Sequence, residues 1–182
     1  MRKIKFYWNK DTATLIAIRQ WGKTTVIKEL TNGIPKEKII VLDSNREYNG
    51  FPNRWIPKAY DLEELDKFIR YCRQFKNRLL IIEDIDLFFS SANPTKELKN
   101  FLINGSHQDL GLIVTLKRPL GNPRLLMTES IHLFLGRFSL RNERDYLEDF
   151  LNSKGEIEKV KRFSFWYRNN DLDEEFLYKT RR

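Results

Sequence analysis

The residues best suited to chemistry lie in the segment 17–25, which reads AIRQWGKTT. It follows the apolar run ATLI at 13–16 and precedes the helical pattern TVIKEL at 25–30, so a strand should turn into a helix here. In such a turn the backbone N–H groups and the helix dipole attract an anion. Lys23 adds a positive charge, and the hydroxyl of Thr24 is a ligand that suits Mg²⁺. The segment therefore predicts a phosphate-binding loop.

This loop departs from the pattern G-x-x-x-x-G-K-[ST] at its first position, which holds Ala17. Gly22, Lys23 and Thr24 match the half of the pattern that touches phosphate most directly. A Gly-Lys-Thr tripeptide also occurs at ordinary helix N-termini, where Thr is a common capping residue. The loop indicates a nucleotide site only if a second element supplies a carboxylate for magnesium.

The segment 79–84, LLIIED, is that second element. Four consecutive apolar residues are typical of a strand buried on both faces in a parallel sheet, and ligands collect at the carboxyl ends of such strands. Of Glu83 and Asp84, one would hold Mg²⁺ through water and the other would polarise an attacking water. We expect the phosphate loop on a neighbouring strand. Asp86, two residues on, is expected to cap a turn.

The rest of the chain predicts an α/β fold in which strands alternate with helices. Apolar strands are expected at 13–18, 38–43, 79–84, 112–116 and 131–135, with helices beginning near residues 23, 61, 94 and 142. The first ten residues alternate basic and apolar side chains, which predicts an edge strand. The segment 49–59 is expected to be a loop, and 163–178 a closing β-hairpin.

The composition fits one domain over residues 1–182, with a core at about 13–140 and a C-terminal helix and hairpin at 141–182. Hydrophobic residues make up 41% of the chain and aromatic residues 13%, which argues against disorder. No apolar run is long enough for a membrane span or a signal peptide, so we expect a cytoplasmic protein. The formal net charge of +8 suits an anionic partner such as nucleic acid.

Three other residues have reactive side chains, and we expect structural roles for them. Cys72 falls on the inner face of a predicted helix, where it serves as a small buried side chain. His107 and His132 are too isolated to predict a metal site or a catalytic triad. The aromatic residues between Arg162 and Arg168 are able to stack on bases, but covering the edge of the sheet is their expected role.

Two further segments resemble the FtsK/HerA type of P-loop ATPases. The segment 43–48, DSNREY, resembles the D-x-x-x-E-Y signature that follows the second strand of that group. The segment 105–119, GSHQDLGLIVTLKRP, is similar to its pattern of a helix ending in His, a Leu-Gly pair, an apolar strand and a Gln-Arg-Pro terminus. The likeness spans about residues 15–138. A chain with so little outside this core most resembles the genome-packaging ATPases of membrane-containing icosahedral viruses.

The resemblance implies a three-layer P-loop NTPase fold of the RecA-like, ASCE type, with a central, mostly parallel sheet. It implies ATP and Mg²⁺ as cofactors, with the nucleotide held by Arg19, Gln20, Trp21, Gly22, Lys23, Thr24 and Thr25. Thr24 and Glu83 would bind the metal, and Asp84 would be the catalytic base, which inverts the usual Asp-Glu order. Which member of that pair is the base stays open. Lys117, in place of a Gln that senses the γ-phosphate, and Arg118 complete the predicted catalytic set.

ATPases of this kind work as rings in which an arginine from the neighbouring subunit completes the site. Arg118, Arg124 and Arg137 are the candidates, and the sequence does not choose among them. The resemblance implies a homo-oligomeric ring, a hexamer or a pentamer, around double-stranded DNA. A basic lumen would grip the DNA phosphates independently of sequence. Capsid or virion membrane proteins are implied as further partners, with virion association as a second location.

The function implied is an ATP-hydrolysing DNA translocase in a viral packaging motor, and two alternatives stay open. The loop RQWGKTT also resembles the R-x-x-G-K-T loops of archaeal-type AAA switch ATPases, which usually carry a further helical domain. The missing loop glycines also fit a degenerate nucleotide-binding adaptor that does not hydrolyse ATP.

Overall fold

The computed structural model describes residues 4–89 and 93–181, and its strands form one eight-stranded sheet. The strands are β1 Thr12–Ile16, β2 Ile39–Leu42, β3 Asn53–Trp55, β4 Arg78–Ile82, β5 Leu110–Leu116, β6 His132–Leu135, β7 Ser164–Asn169 and β8 Glu174–Lys179. Their order in the sheet is β3-β2-β4-β5-β1-β6-β7-β8. Strands β1 to β6 pair in parallel, whereas β7 and β8 are antiparallel. The α/β fold class and the closing hairpin are confirmed.

The helices are α1 Lys23–Leu30, α2 Leu62–Cys72, α3 Lys96–Asn104, α4 Leu125–Thr128 and α5 Arg141–Glu148. Short 3₁₀ turns lie at Lys36–Lys38, Ile85–Leu87, Gly105–Gln108 and Ile157–Lys159. Side-chain caps fix the starts of two helices, since Asp61 accepts the Glu64 N–H at 2.8 Å and Thr95 accepts the Leu98 N–H at 3.1 Å. Within the described residues, no helix is long and apolar enough to cross a membrane.

Two buried clusters lie on opposite faces of the sheet and give the fold its three layers. Successive residues of a strand point to opposite faces, so Ile82 joins the cluster under α2 and α3 while Ile81 joins the cluster under α1. Residues of α1 and of the hairpin, Val26 and Phe165 among them, share the second cluster. Strands that are apolar on both faces are therefore held in the middle of the molecule, with their carboxyl ends facing one edge of the sheet.

The segment 49–59, predicted to be a loop, contains a strand. Its three residues form β3, which pairs in parallel with β2 at the sheet edge. Pro52 and Pro57 flank this strand and conceal its pattern, since proline is depleted in strands. Strand prediction from alternation fails here because the strand is too short for alternation to appear.

The predicted edge strand at residues 1–10 is wrong for the residues that the structure describes; residues 1–3 lie outside them. Residues 4–10 form no strand, and Ile4, Phe6 and Trp8 pack against the second cluster. The Trp8 carbonyl lies so close to Gly111 that a Cβ added there would be 2.1 Å from the oxygen. Gly111 is thus required for the close approach of this segment to β5.

Candidate nucleotide-binding site

The phosphate loop, residues 17–24, leaves the carboxyl end of β1 and runs into α1 as the sequence predicts. Gln20 has φ 59° and Gly22 has φ 110°, both in the left-handed region that favours glycine. A Cβ at Gly22 would also lie 2.9 Å from the Phe163 ring, so only glycine fits there. Gln20 holds its conformation at a cost of about 1 kcal/mol or more, which the surrounding structure must offset.

The start of β7 supplies that support, and we call residues 162–164 the hairpin anchor. The Trp21 indole N–H donates to the Ser164 carbonyl at 2.8 Å, and the Phe163 N–H donates to the Trp21 carbonyl at 3.2 Å. Arg162 Nε donates to the Gln20 carbonyl at 3.1 Å. Three bonds from the far end of the chain therefore hold a loop that lacks the usual glycines.

Lys23 is held by the loop's own carbonyl oxygens. Its Nζ donates to Ala17 at 2.6 Å and to Ile18 at 3.4 Å. Burial lowers the pKa of Lys23, while the Asp84 carboxylate raises it. The ammonium group is thus poised beside the loop, facing carboxylates on the other side of the cleft.

Glu83 is buried at the end of β4 and accepts the Tyr48 hydroxyl at 2.8 Å. Burial raises the pKa of Glu83 from 4.5 to about 7, although the Tyr48 hydrogen bond opposes the shift. A carboxylate that is charged near neutral pH in this setting is destabilising until a cation neutralises it. This favours a role beside a bound metal ion.

Replacing Glu83 with glutamine is therefore expected to stabilise the protein above neutral pH. Because the folded-state pKa is raised from 4.5 to about 7, the wild-type protein loses stability as pH rises between these values. Glutamine keeps an acceptor for Tyr48 but carries no charge. We expect the midpoint of thermal unfolding to rise by about 5 °C at pH 8 and by far less at pH 5. The exposed Glu129→Gln variant is the control, and an equal shift at both pH values would contradict the expectation.

Asp84 is connected to the ends of the strands on either side of it. Its backbone N–H donates to the Thr115 hydroxyl at 2.9 Å, and φ is 49°. Its carboxylate accepts a hydrogen bond from Asn45 at 2.8 Å and pairs with Lys117 Nζ at 2.8 Å. The strained backbone turns this carboxylate into the cleft, where Lys117 compensates its charge.

The DSNREY segment organises this arrangement through Asp43. The buried Asp43 carboxylate accepts the N–H groups of Glu47 at 2.9 Å and Tyr48 at 3.1 Å, and it pairs with Arg54 at 2.6 Å. The turn that it fixes presents the Tyr48 hydroxyl to Glu83. The motif thus has a structural anchor, Asp43, and a residue in direct contact with the acidic pair.

Asp86 has a different contact from the one predicted. Its Oδ2 accepts the Lys117 N–H at 3.3 Å, and its other carboxylate oxygen is buried with no hydrogen-bond partner in the described structure. Burial raises the pKa of this carboxyl. The predicted cap is therefore wrong: Asp86 contacts the backbone at the end of β5, and its other oxygen stays buried.

The sequence led us to expect the phosphate loop and the carboxylates on neighbouring strands. This expectation is wrong, because β5 lies between β1 and β4. Both strand ends nevertheless open on one cleft of about 500 Å³. It is lined by Arg19, Gln20, Trp21, Gly22, Lys23, Thr24, Glu83, Asp84 and Lys117 from the predicted set. Further lining residues, which the sequence did not single out as site residues, are Asn45, Glu47, Thr115, Arg162 and Phe163.

Thr25 and Arg118 are outside the lining of the cleft. Arg118 is exposed just beyond β5. Cys72 is buried, and burial raises the pKa of its thiol, which agrees with a packing role. His132 lies between Asp11 at 3.0 Å and the Tyr167 hydroxyl at 2.8 Å, at the other end of the sheet. None of these residues takes part in the cleft.

The donor set at the cleft fits Mg²⁺ bound together with phosphate. The residues described by the structure contain no cluster of three or more His, Cys, Asp or Glu that would hold a metal alone. Magnesium prefers oxygen ligands, and at phosphate sites it uses one or two carboxylates together with phosphate oxygens and water. Thr24, Glu83 and Asp84, which line the cleft, supply such oxygens.

No protein-family model and no curated protein matches the chain. Solved structures do match it along nearly its whole length. The DNA-packaging ATPase B204 of Sulfolobus turreted icosahedral virus superposes with a TM-score of 0.80 at 16% identity, covering 96% of this chain and 100% of that chain. The genome-packaging NTPase B204 of Sulfolobus turreted icosahedral virus 2, in complex with ATP-γ-S, has a TM-score of 0.77 at 14% identity, covering 96% and 99%.

The cytoplasmic domain of the type VII secretion ATPase EccC from Thermomonospora curvata also matches. Its TM-score is 0.67 at 11% identity, over 96% of this chain and 24% of that chain. Identities this low establish the fold and not the activity. The chain has the three-layer P-loop ATPase fold of B204 and EccC, and the predicted resemblance to FtsK/HerA-type ATPases is confirmed at the level of the fold.

Proposed function

We propose that this protein is a Mg²⁺-dependent ATPase that drives DNA translocation as a subunit of a viral genome-packaging motor. The observation that carries the proposal is the single cleft that joins Lys23 and Thr24 of the phosphate loop to Glu83, Asp84 and Lys117. The match with packaging ATPases over 96% of the chain supports the same function.

In the proposed reaction the phosphate loop binds the phosphates of ATP, and Lys23 exchanges its bond to the Ala17 carbonyl for a bond to phosphate. Magnesium, when bound, neutralises phosphate charge, and Thr24 and Glu83 would hold it. A γ-phosphate competes with Asp84 for Lys117, which releases the Asp84 carboxylate. Asp84 then accepts a proton from the water that attacks the γ-phosphorus. The bond from the γ-phosphorus to the β–γ bridging oxygen breaks, and ADP and inorganic phosphate are released.

The proposal includes assembly into a homo-oligomeric ring around double-stranded DNA, in the cytoplasm or associated with virions. The exposed residues Arg118, Arg124 and Arg137 follow β5 or β6, and one of them would reach the site of a neighbouring subunit. The net charge of +8 supports contact with DNA phosphates. Native mass measurement with a non-hydrolysable ATP analogue and DNA tests the assembly, and a lone monomer would count against a ring.

ATP turnover with and without double-stranded DNA tests the function. We expect DNA to stimulate turnover several-fold and the stimulation to fall steeply as salt rises from about 50 to 200 mM, because phosphate contacts release counterions. Turnover that DNA does not change would support a switch ATPase instead. ATP binding without turnover would support an adaptor, which the tight Lys117–Asp84 ion pair makes the stronger alternative.

A further inference from the structure

The cleft extends past the phosphate loop to residues that the proposed reaction leaves unused. In the order of the sheet, β4 leads into Glu83, β5 leads into Lys117, and β1 leads into the phosphate loop. Because β7 runs antiparallel to β6, its start lies at this same edge and brings Arg162 and Phe163 to the cleft. The loop therefore lies between the carboxylates on one side and the hairpin anchor on the other.

A nucleoside triphosphate has its terminal phosphate at one end and its nucleoside at the other. The chemistry places the terminal phosphate beside Glu83 and Asp84, where the water is activated. If the terminal phosphate lies beside these carboxylates and the nucleotide crosses the loop, its nucleoside lies beside the hairpin anchor. The residues that line the cleft on that side include Arg162 and Phe163.

Arg162 and Phe163 have the chemistry that a base requires. The Arg162 guanidinium lies 5.0 Å from the centroid of the Phe163 ring, and its Nε is fixed by the Gln20 carbonyl. Across the part of the chain that the structure describes, no carboxylate forms an ion pair with Arg162. Bases stack on aromatic rings and on the planes of guanidinium groups.

We propose that Arg162 and Phe163 form the subsite for the nucleoside half of the nucleotide. This inference rests on the proposed nucleotide site at Lys23. It gives the hairpin anchor two roles: its backbone holds the phosphate loop, and its side chains receive the base. The base is then held by the C-terminal hairpin and not by the phosphate loop.

Comparison of ATP with inorganic tripolyphosphate separates this subsite from the phosphate loop. Phe163→Leu keeps an apolar side chain and removes the ring. We expect calorimetry to show about a tenfold loss of affinity for ATP, and a change within about twofold for tripolyphosphate, which has no base. Arg162→Lys keeps the charge and loses the planar group. It should likewise weaken ATP binding and leave the affinity for tripolyphosphate nearly unchanged. Lys161→Gln, an exposed neighbour outside the cleft, is the control and should change neither affinity.

Parallel losses for ATP and tripolyphosphate in both variants would overturn the subsite, because they would show support of the loop alone. Unchanged ATP affinity in both variants, with thermal unfolding as in the wild type, would also overturn it. The proposed nucleotide site is tested separately, since Lys23→Ala must weaken both ligands. If Lys23→Ala weakens neither, the site itself is wrong.

Discussion

Lys23→Ala is expected to lower kcat/KM for ATP by at least about a hundredfold. The bond from the ammonium group to the Ala17 carbonyl shows that this charge already lies against the phosphate loop. An amine fixed beside a transferring phosphoryl group stabilises the charge that develops in the transition state. Steady-state turnover and equilibrium binding of a non-hydrolysable ATP analogue measure the two parts of the loss.

Lys28→Ala is the matched control for this variant. Lys28 is exposed on the same helix, outside the lining of the main cleft, so its removal should leave turnover within about twofold of the wild type. Unchanged turnover in Lys23→Ala would refute the proposed ATPase. Equal losses in both variants would indicate a general effect on α1 and not a contact with phosphate.

Asp84→Asn is expected to reduce ATP turnover about 10²- to 10⁴-fold while ATP still binds. Removal of a general base costs this much when the rest of the site is intact. Asparagine still offers Asn45 an oxygen acceptor, and it frees Lys117 from its ion pair, so binding of ATP should be retained or tighter. Single-turnover hydrolysis measures the chemical step, and analogue binding measures affinity.

The same experiment decides between the two carboxylates. If Asp84 is the base, Glu83→Gln should instead raise the Mg²⁺ concentration needed for half-maximal turnover, since Glu83 would hold the metal. Asp145→Asn, an exposed carboxylate on α5, is the control and should behave as the wild type. Full turnover in Asp84→Asn, with loss of the chemical step in Glu83→Gln, would reverse the two roles.

The strands were predictable because their signal is local. Runs such as LLII in β4 are apolar at every position, which few structures other than a doubly covered strand tolerate. The order of the strands was not predictable in the same way, because pairing depends on contacts between distant segments. The insertion of β5 between β1 and β4 is therefore a finding of the structure.

The candidate site likewise contains residues that a local sequence pattern predicts and residues that only long-range contacts place there. Glu83 and Asp84 follow β4, and Gly22 and Lys23 close the loop that follows β1, so their convergence followed from the parallel sheet. Arg162 contacts a loop residue that is 142 positions away in the sequence, and no local pattern predicts such a contact. Gln20 in place of a loop glycine was the available signal, because a residue other than glycine held at positive φ needs support from elsewhere in the fold.

The hairpin anchor also sets the moment in synthesis at which the site is complete. The phosphate loop leaves the ribosome well before residues 162–164, which make all three of its bonds to the anchor. A nascent chain shorter than this has the loop sequence but not the contacts that shape it. Competence to bind nucleotide thus arises only after the hairpin anchor has been translated and has folded against the loop.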